Sequence, residues 1–233
     1  MSLKSILVAL SAGALVLAGC SSPPSSNGSA NPDEVASEPA DIGSYNAAIL
    51  AAAEPFENLT EQAPTASADT LKSLIQEAGS GAAKVYSSLD KSARANLQNA
   101  QTKVNAAATG DDRAGIALAA VEGYRTLVES VRGNTPIPMN VSLLDYAGFR
   151  YQADLSSDPA RWDDALKAVD FAGQQWAEIS SRVADATLRD DFSKALSAMR
   201  KAAGERNLDD AHRAVTGELD LVDKLEQFFS QKP

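Results

Sequence analysis

The chain has 233 residues, of which 31 are acidic and 21 basic, so its formal net charge at pH 7 is −10 and its isoelectric point is about 4.6. An acidic surface repels phosphate backbones and anionic headgroups, which argues against nucleic acid and anionic lipid as partners. Only one cysteine is present, so no intramolecular disulfide can form and stability must come from the core. A chain of this length can bury about 70% of its unfolded surface, which is enough for such a core.

The first twenty residues have the pattern of an exported, lipid-modified protein. Lys4 precedes an apolar run over residues 6–17, which matches a secretory signal and is shorter than the about 20 residues that a membrane span needs. The run leads into Leu17-Ala18-Gly19-Cys20, which contains the only cysteine of the chain. This stretch resembles the signal peptides of bacterial lipoproteins, whose lipobox is written here as LAGC. The alternative is an ordinary signal peptide with a cysteine near its end by chance.

The resemblance implies a set of modifications and a location. In that family the thiol, here that of Cys20, receives a diacylglycerol, the signal peptide 1–19 is removed, and the new amino terminus is usually acylated, with palmitate as the expected chain. Two or three acyl chains suffice for stable anchoring. Ser21 stands where an aspartate retains enterobacterial lipoproteins at the inner membrane, so the resemblance favours the periplasmic face of the outer membrane.

Residues 20–42 predict a lipidated, disordered tether. The stretch is rich in Ser, Pro and Asn and has almost nothing to bury. A tether of about 22 residues has a root-mean-square reach of roughly 25 Å and a full extension of about 75 Å, enough to hold a domain clear of the headgroups. The helical domain is therefore expected over residues 43–233.

Apolar residues recur at helical spacing from Ser44 onward, and no segment alternates with a period of two, so an all-α fold is predicted. Pro55 is expected to kink the first helix or to begin a second helical piece. After Ser67, a predicted N-cap, an apolar stripe covers residues 71–107 and crosses two glycines at residues 79–81. This stripe predicts two helices, or one helix with a kink at the glycines.

Further helices are predicted on both sides of a loop over residues 133–138. One follows Asp111-Asp112 and reaches about Val131. Four helices are predicted after the loop. The first covers residues 141–155, and the second has Asp158 as N-cap and Pro159 as first helical residue. The third runs through residues 188–199, and the last covers residues 208–229. Because the connections are short, the helices should form an up-and-down antiparallel bundle of about six or seven helices.

The two halves of the domain share one internal similarity. The helices that follow Asp111-Asp112 and Asp209-Asp210 align without a gap, so that Ala117 matches Val215. This agreement fits the duplication of a helical hairpin and so two related halves. Any two amphipathic helices can agree at that level, which leaves coincidence as the alternative.

No catalytic, cofactor-binding or metal site is predicted. His212 is the only histidine and follows Asp209 by three residues, a spacing that supplies half of a carboxylate-bridged metal site, but such a site needs a second histidine. A haem would pair His212 with Met199 or Met139, and the sequence has no C-x-x-C-H motif. A histidine at the boundary of a buried stripe is the simpler interpretation. Nucleophile-elbow, phosphate-loop and dinucleotide motifs are also absent from the sequence.

Aromatic residues are concentrated between residues 146 and 176, with Asp145 directly before them and Arg150 and Arg161 among them. They are Tyr146, Phe149, Tyr151, Trp162, Phe171 and Trp176. Core packing between two helices is the favoured interpretation, because both tryptophans lie on the buried stripe of their helix. An apolar groove with polar handles is the alternative.

The sequence is compatible with two functions from different classes. The first is a lipid-anchored periplasmic helical bundle that binds without catalysing a reaction. Its partners would be the membrane, through acyl chains on Cys20, and an envelope protein or a small ligand. The second is a metal- or haem-binding bundle in envelope redox chemistry or metal homeostasis, for which His212 would have to be a ligand. A visible absorption spectrum with metal analysis separates the two.

Overall fold

A computed structural model of the chain describes the backbone of residues 39–231 and the side chains of residues 42–231. This part of the chain contains eight α-helices and no strand, which confirms the all-α prediction. The helices are α1 (Pro39–Gln62), α2 (Ala68–Val85), α3 (Lys91–Thr109), α4 (Arg113–Val128), α5 (Met139–Leu155), α6 (Trp162–Ile179), α7 (Ala186–Gly204) and α8 (Leu208–Ser230). Short 3₁₀ turns, Tyr86–Ser88 and Ser180–Arg182, follow α2 and α6.

The helices form two four-helix bundles with the same arrangement. In the first bundle α1 packs against α2 and α4, and α3 packs mainly against α4 and more weakly against α2. In the second bundle α5 packs against α6 and α8, and α7 packs against α8 and α6. The two bundles meet chiefly through α4 and α5, so these two helices determine what can be built at the junction.

The second bundle repeats the first at a spacing of 94 to 95 residues. Helices α2 and α6 have 18 residues each and begin 94 positions apart, and α3 and α7 have 19 residues each and begin 95 positions apart. Asp90 and Asp185, which cap α3 and α7, are also 95 positions apart, and so are Asp111 and Arg206, the residues with positive φ before α4 and α8. The repeated element is therefore a four-helix unit, larger than a helical hairpin.

This spacing changes the residue correspondence between α4 and α8. Asp112 caps α4, whereas Asn207 caps α8, so the acidic doublet at residues 209–210 lies within the first turn of α8 rather than before it. The gapless match expected from the sequence used a spacing of 98 residues and therefore differs from the structure by about one turn. At the observed spacing Ala120 corresponds to Val215, and both side chains are buried.

The apolar stripe of residues 71–107 is interrupted at Tyr86–Ser88 and not at its glycines. Asp90 fixes the break, because its carboxylate accepts a hydrogen bond at 2.8 Å from a backbone N–H in the first turn of α3. Gly81 instead allows α2 to pack closely on α1, since a Cβ there would lie 3.3 Å from the carbonyl oxygen of Ala52. The stripe therefore forms two separate helices, α2 and α3. With them the described residues contain eight helices, whereas about six or seven were expected.

Helix α1 begins at Pro39, inside the range 20–42 that was expected to form the tether, and it continues through Pro55. Phe56 on this helix is 1% exposed and packs against Gly123 of α4, where a Cβ would overlap the phenyl ring. This contact brings α1 and α4 together in the core of the first bundle.

Helix α6 begins later than the sequence predicted. Asp158-Pro159 does not open it but lies in the turn after α5, joined by a cis peptide bond. The backbone N–H of Arg161 donates to the carbonyl of Asp154 at 3.0 Å, which closes this turn and delays the helix until Trp162. Arg161 therefore occupies the N-cap position of α6, and its side chain makes no capping hydrogen bond.

Candidate functional site

A groove of about 790 Å³ lies where the two bundles meet. Helices α3 and α4 supply most of its residues, and α5 and the residue before α6 supply the rest. Its charged residues are Lys103, Glu122, Arg125, Glu129, Arg150 and Arg161, and further polar groups come from Asn96, Asn99 and Tyr146. Four of the six charged side chains are basic, although the chain as a whole has a formal net charge of −10.

Arg150 of α5 connects the two bundles. Its Nη1 donates to Oε1 of Glu122 on α4 at 2.5 Å, and its Nε donates to Oδ2 of Asp154 at 3.0 Å. The hydroxyl of Tyr146 donates to the same Glu122 oxygen at 3.1 Å. The Arg150 side chain is only 23% exposed, so solvent screens this network less than it screens an ion pair on an open surface.

Asp154 contacts two arginines at once. Its side chain is fully buried, and beside its bond to Arg150 it lies 3.2 Å from Nε of Arg161. Burial raises the pKa of Asp154, and the two guanidinium groups oppose that shift. Arg161 also donates to Asp164 through Nε at 3.0 Å and Nη2 at 2.5 Å. Hydrogen bonds from Lys167 and Arg161 lower the pKa of Asp164 to about 2, so this carboxylate remains charged and holds Arg161 in place.

Aromatic rings and a carboxylate orient Arg125 of α4. Its guanidinium carbon lies 5.2 Å from the ring centre of Tyr146 and 5.0 Å from that of Phe171, within the range of cation–π attraction. The two rings are edge to face, with centroids 5.4 Å apart. Nε of Arg125 donates to Oε1 of Glu129 at 2.8 Å. Arg125 is thus fixed from two sides while it lines the groove.

The aromatic segment predicted as core or groove divides between these two roles. Phe149, Tyr151 and Trp176 are buried, Trp162 and Phe171 are partly buried, and Tyr146 lines the groove although little of its surface is exposed. Trp176 donates from Nε1 to Oγ of Ser193 on α7 at 3.1 Å, as a core tryptophan should. Of the three polar handles, Arg150 and Arg161 line the groove, whereas Asp145 lies elsewhere on α5.

A group of carboxyls that was not predicted from the sequence lies on α1, α5 and α8. Glu218 is fully buried, and within the described part of the chain neither of its oxygens has a hydrogen-bond partner. Asp145 accepts a hydrogen bond from the Tyr124 hydroxyl at 3.1 Å. Asp145 keeps some exposed surface, but burial raises its pKa, and Glu57, Glu226 and Glu218 raise it further. One signal was available, because Glu218 interrupts the otherwise apolar buried stripe of α8.

The residues considered for a metal or haem lie in different environments. His212 is exposed near the start of α8, Met139 is 39% exposed at the start of α5, and Met199 is fully buried in α7. Over residues 42–231 no three His, Cys, Asp or Glu side chains are placed to hold a metal ion together.

The residues of the predicted lipobox, including Cys20, and nearly all of the predicted tether lie outside the described residues. Within residues 39–231 no helix is both long and apolar enough to cross a membrane. Comparison of the chain with known protein families, curated proteins and solved structures gave no match. The groove and the N-terminal motif are therefore the two features that bear on function.

Proposed function

We propose that the protein is a lipid-anchored binding module of the bacterial cell envelope that holds a ligand in the groove between its two bundles and catalyses no reaction. The groove carries this proposal, because it concentrates oriented charged groups at the junction of two repeated units. Convergent polar groups in a concave surface fix the orientation of a bound small molecule and provide specificity.

The chemistry of the groove favours binding over catalysis. Its lining residues include no Ser, Cys or His, and the hydroxyl of Thr126 donates to a backbone carbonyl of its own helix at 2.8 Å. The remaining groups are guanidinium, ammonium, carboxylate, amide and phenol. In nearly every case the charged groups are held in pairs, which suits recognition by fixed hydrogen bonds rather than attack by a nucleophile beside a base.

The sequence motif supplies the proposed location. Acylation of Cys20 would anchor the chain, and a tether of about 22 residues would allow the bundles to stand clear of the headgroups on the periplasmic face of the outer membrane. The acidic surface of the chain is consistent with acyl chains, rather than basic patches, as the means of attachment.

Native mass spectrometry of the full chain, purified in non-ionic detergent from its own membranes, tests the proposal. We expect a co-purifying molecule that is lost when Asn99→Trp fills the groove from its exposed wall. Ala95→Trp is the matched control, because Ala95 is also exposed on α3 but does not line the groove. A spectrum without any bound molecule, or one that both variants change equally, would contradict a binding role for the groove.

The metal- or haem-binding alternative is tested on the same preparation. A visible absorption band together with a stoichiometric metal, both lost in His212→Ala, would replace the proposed function with the alternative. Absence of both would leave the binding module as the better description.

A further inference from the structure

We infer that the groove recognises an oxyanion, a carboxylate or phosphate group of a small polar ligand, through the arginines at positions 125, 150 and 161. This inference rests on the proposed function and specifies the chemical class of the ligand. Guanidinium groups match these anions because two parallel N–H donors can bind two oxygens of one group.

The three arginines share one mode of attachment. The Nε of each one donates to a carboxylate, from Arg125 to Glu129 at 2.8 Å, from Arg150 to Asp154 at 3.0 Å and from Arg161 to Asp164 at 3.0 Å. An arginine that is fixed through Nε keeps terminal nitrogens for another partner. A ligand would therefore meet donors that are already oriented, which lowers the entropy cost of binding.

The hydrogen bonds within residues 42–231 leave part of each guanidinium available. Nη2 of Arg150 and Nη1 of Arg161 donate to no acceptor there, and the terminal nitrogens of Arg125 pair with no carboxylate of those residues. Lys103 on the opposite wall is exposed and forms no ion pair with the same part of the chain. These donors come from α3, α4, α5 and the start of α6, so they surround the groove.

The internal repeat shows that an arginine at position 125 is not required by the packing of the four-helix unit. Helices α4 and α8 begin 95 positions apart, so the position of Arg125 corresponds to Asp220, which is acidic. The two units therefore share their packing without sharing a basic group at this position.

Arg161 also differs from its counterpart in the first bundle. Its counterpart is Ser67, whose hydroxyl oxygen accepts from the Thr70 N–H at 3.2 Å and caps α2. Replacing a serine at the N-cap position generally lowers the stability of the helix. Arg161 gives up the cap and instead places a guanidinium at the groove.

Calorimetric titration of the full chain in detergent with citrate and with inorganic phosphate tests the inference. We expect saturable binding of at least one probe to one site, weaker by about tenfold or more in Arg125→Gln and in Arg150→Gln. Lys103→Gln should weaken binding about threefold without any effect on folding, because Lys103 has no ion-pair partner among the described residues. Arg200→Gln, at an exposed pair with Asp170 outside the groove, should leave binding unchanged.

The outcomes separate the ligand class from the wider proposal. Citrate binding without phosphate binding would assign a carboxylate, and the reverse a phosphate. No saturable heat with either probe, or equal affinity in the groove variants and Arg200→Gln, would overturn the oxyanion inference. If neither probe bound but Asn99→Trp still lost a co-purified molecule, the binding function would stand with a neutral ligand. If neither probe bound and no co-purified molecule was lost, both the oxyanion inference and the binding function would fail.

Discussion

The side chain of Glu218 on α8 packs directly against Gly148 on α5, in the space that a Cβ on residue 148 would occupy. Neither oxygen of this fully buried carboxyl has a hydrogen-bond partner among the described residues. Burial raises the pKa of Glu218 well above its ordinary value of 4.5, so the folded state favours the protonated, neutral side chain.

Substitution of Glu218 by Gln should change how stability depends on pH. Because the folded pKa of Glu218 is raised, its proton stabilises the fold fully below about pH 4.5, and this stabilisation is lost as the pH rises through the folded value. The free energy of unfolding should therefore fall from pH 5 to pH 8 in the natural chain and fall less in Glu218→Gln. At pH 8 we expect the variant to be more stable by about 1–3 kcal/mol, measured by urea unfolding.

Two further variants define the origin of this effect. Glu54→Gln removes an exposed carboxylate and should leave the pH dependence as it is in the natural chain. Asp145→Asn should remove a second part of the pH dependence of stability, because the raised pKa of Asp145 acts in the same direction. An identical pH profile for Glu218→Gln and the natural chain would show that Glu218 is ionised in the folded state.

Two glycine substitutions should have opposite effects. In Gly148→Ala the new methyl group overlaps the side chains of Glu218 and Leu219, so α5 and α8 must separate and the chain should lose about 1–3 kcal/mol of stability. In Gly173→Ala, inside α6, a Cβ has no atom within 4 Å, so we expect a gain of about 0.5–1 kcal/mol from the lower entropy of the unfolded chain. Thermal unfolding measures both, and equal effects would contradict the α5–α8 packing.

The two tryptophans should differ in environment. Trp176 is 7% exposed, and its ring centroid lies 4.5 Å from that of Phe192, whereas Trp162 is only partly buried. Trp162→Phe should leave a blue-shifted emission that acrylamide quenches poorly, and Trp176→Phe should leave a redder, more readily quenched one. Trp176→Ala should cost about 3–5 kcal/mol of stability. Indistinguishable quenching of the two single-tryptophan variants would contradict the packing.

The anchor prediction concerns the sole thiol of the chain. Cys20→Ala should abolish lipid labelling in cells supplied with a radiolabelled or alkyne-tagged fatty acid, because no other cysteine can receive the diacylglycerol. Ser21→Ala is the control and should be labelled normally. Continued labelling of Cys20→Ala would exclude the lipobox assignment.

Helices were predictable from the sequence because their signal is local. The stripe that begins at Leu71, the cap at Ser67 and the buried Trp176 all depend on residues within a few turns of each other. The groove was not, because it depends on contacts between helices: Arg150 and Glu122 are 28 residues apart and come from different bundles. The sequence predicts Arg161 inside the first turn of a helix that begins at Pro159, and nothing in its local sequence indicates that it occupies the N-cap position instead.

Arg125, Arg150 and Arg161 are fixed through Nε, and we propose that they offer their remaining donors to an oxyanion. Nitrogen-15 NMR of the Nε–H groups in the full chain tests it directly, since each of these three protons donates to a carboxylate. We predict three signals that exchange slowly with water and shift on addition of citrate or phosphate, while that of Arg200 stays in place. Fast exchange of all three, or shifts no larger than that of Arg200, would contradict the claim.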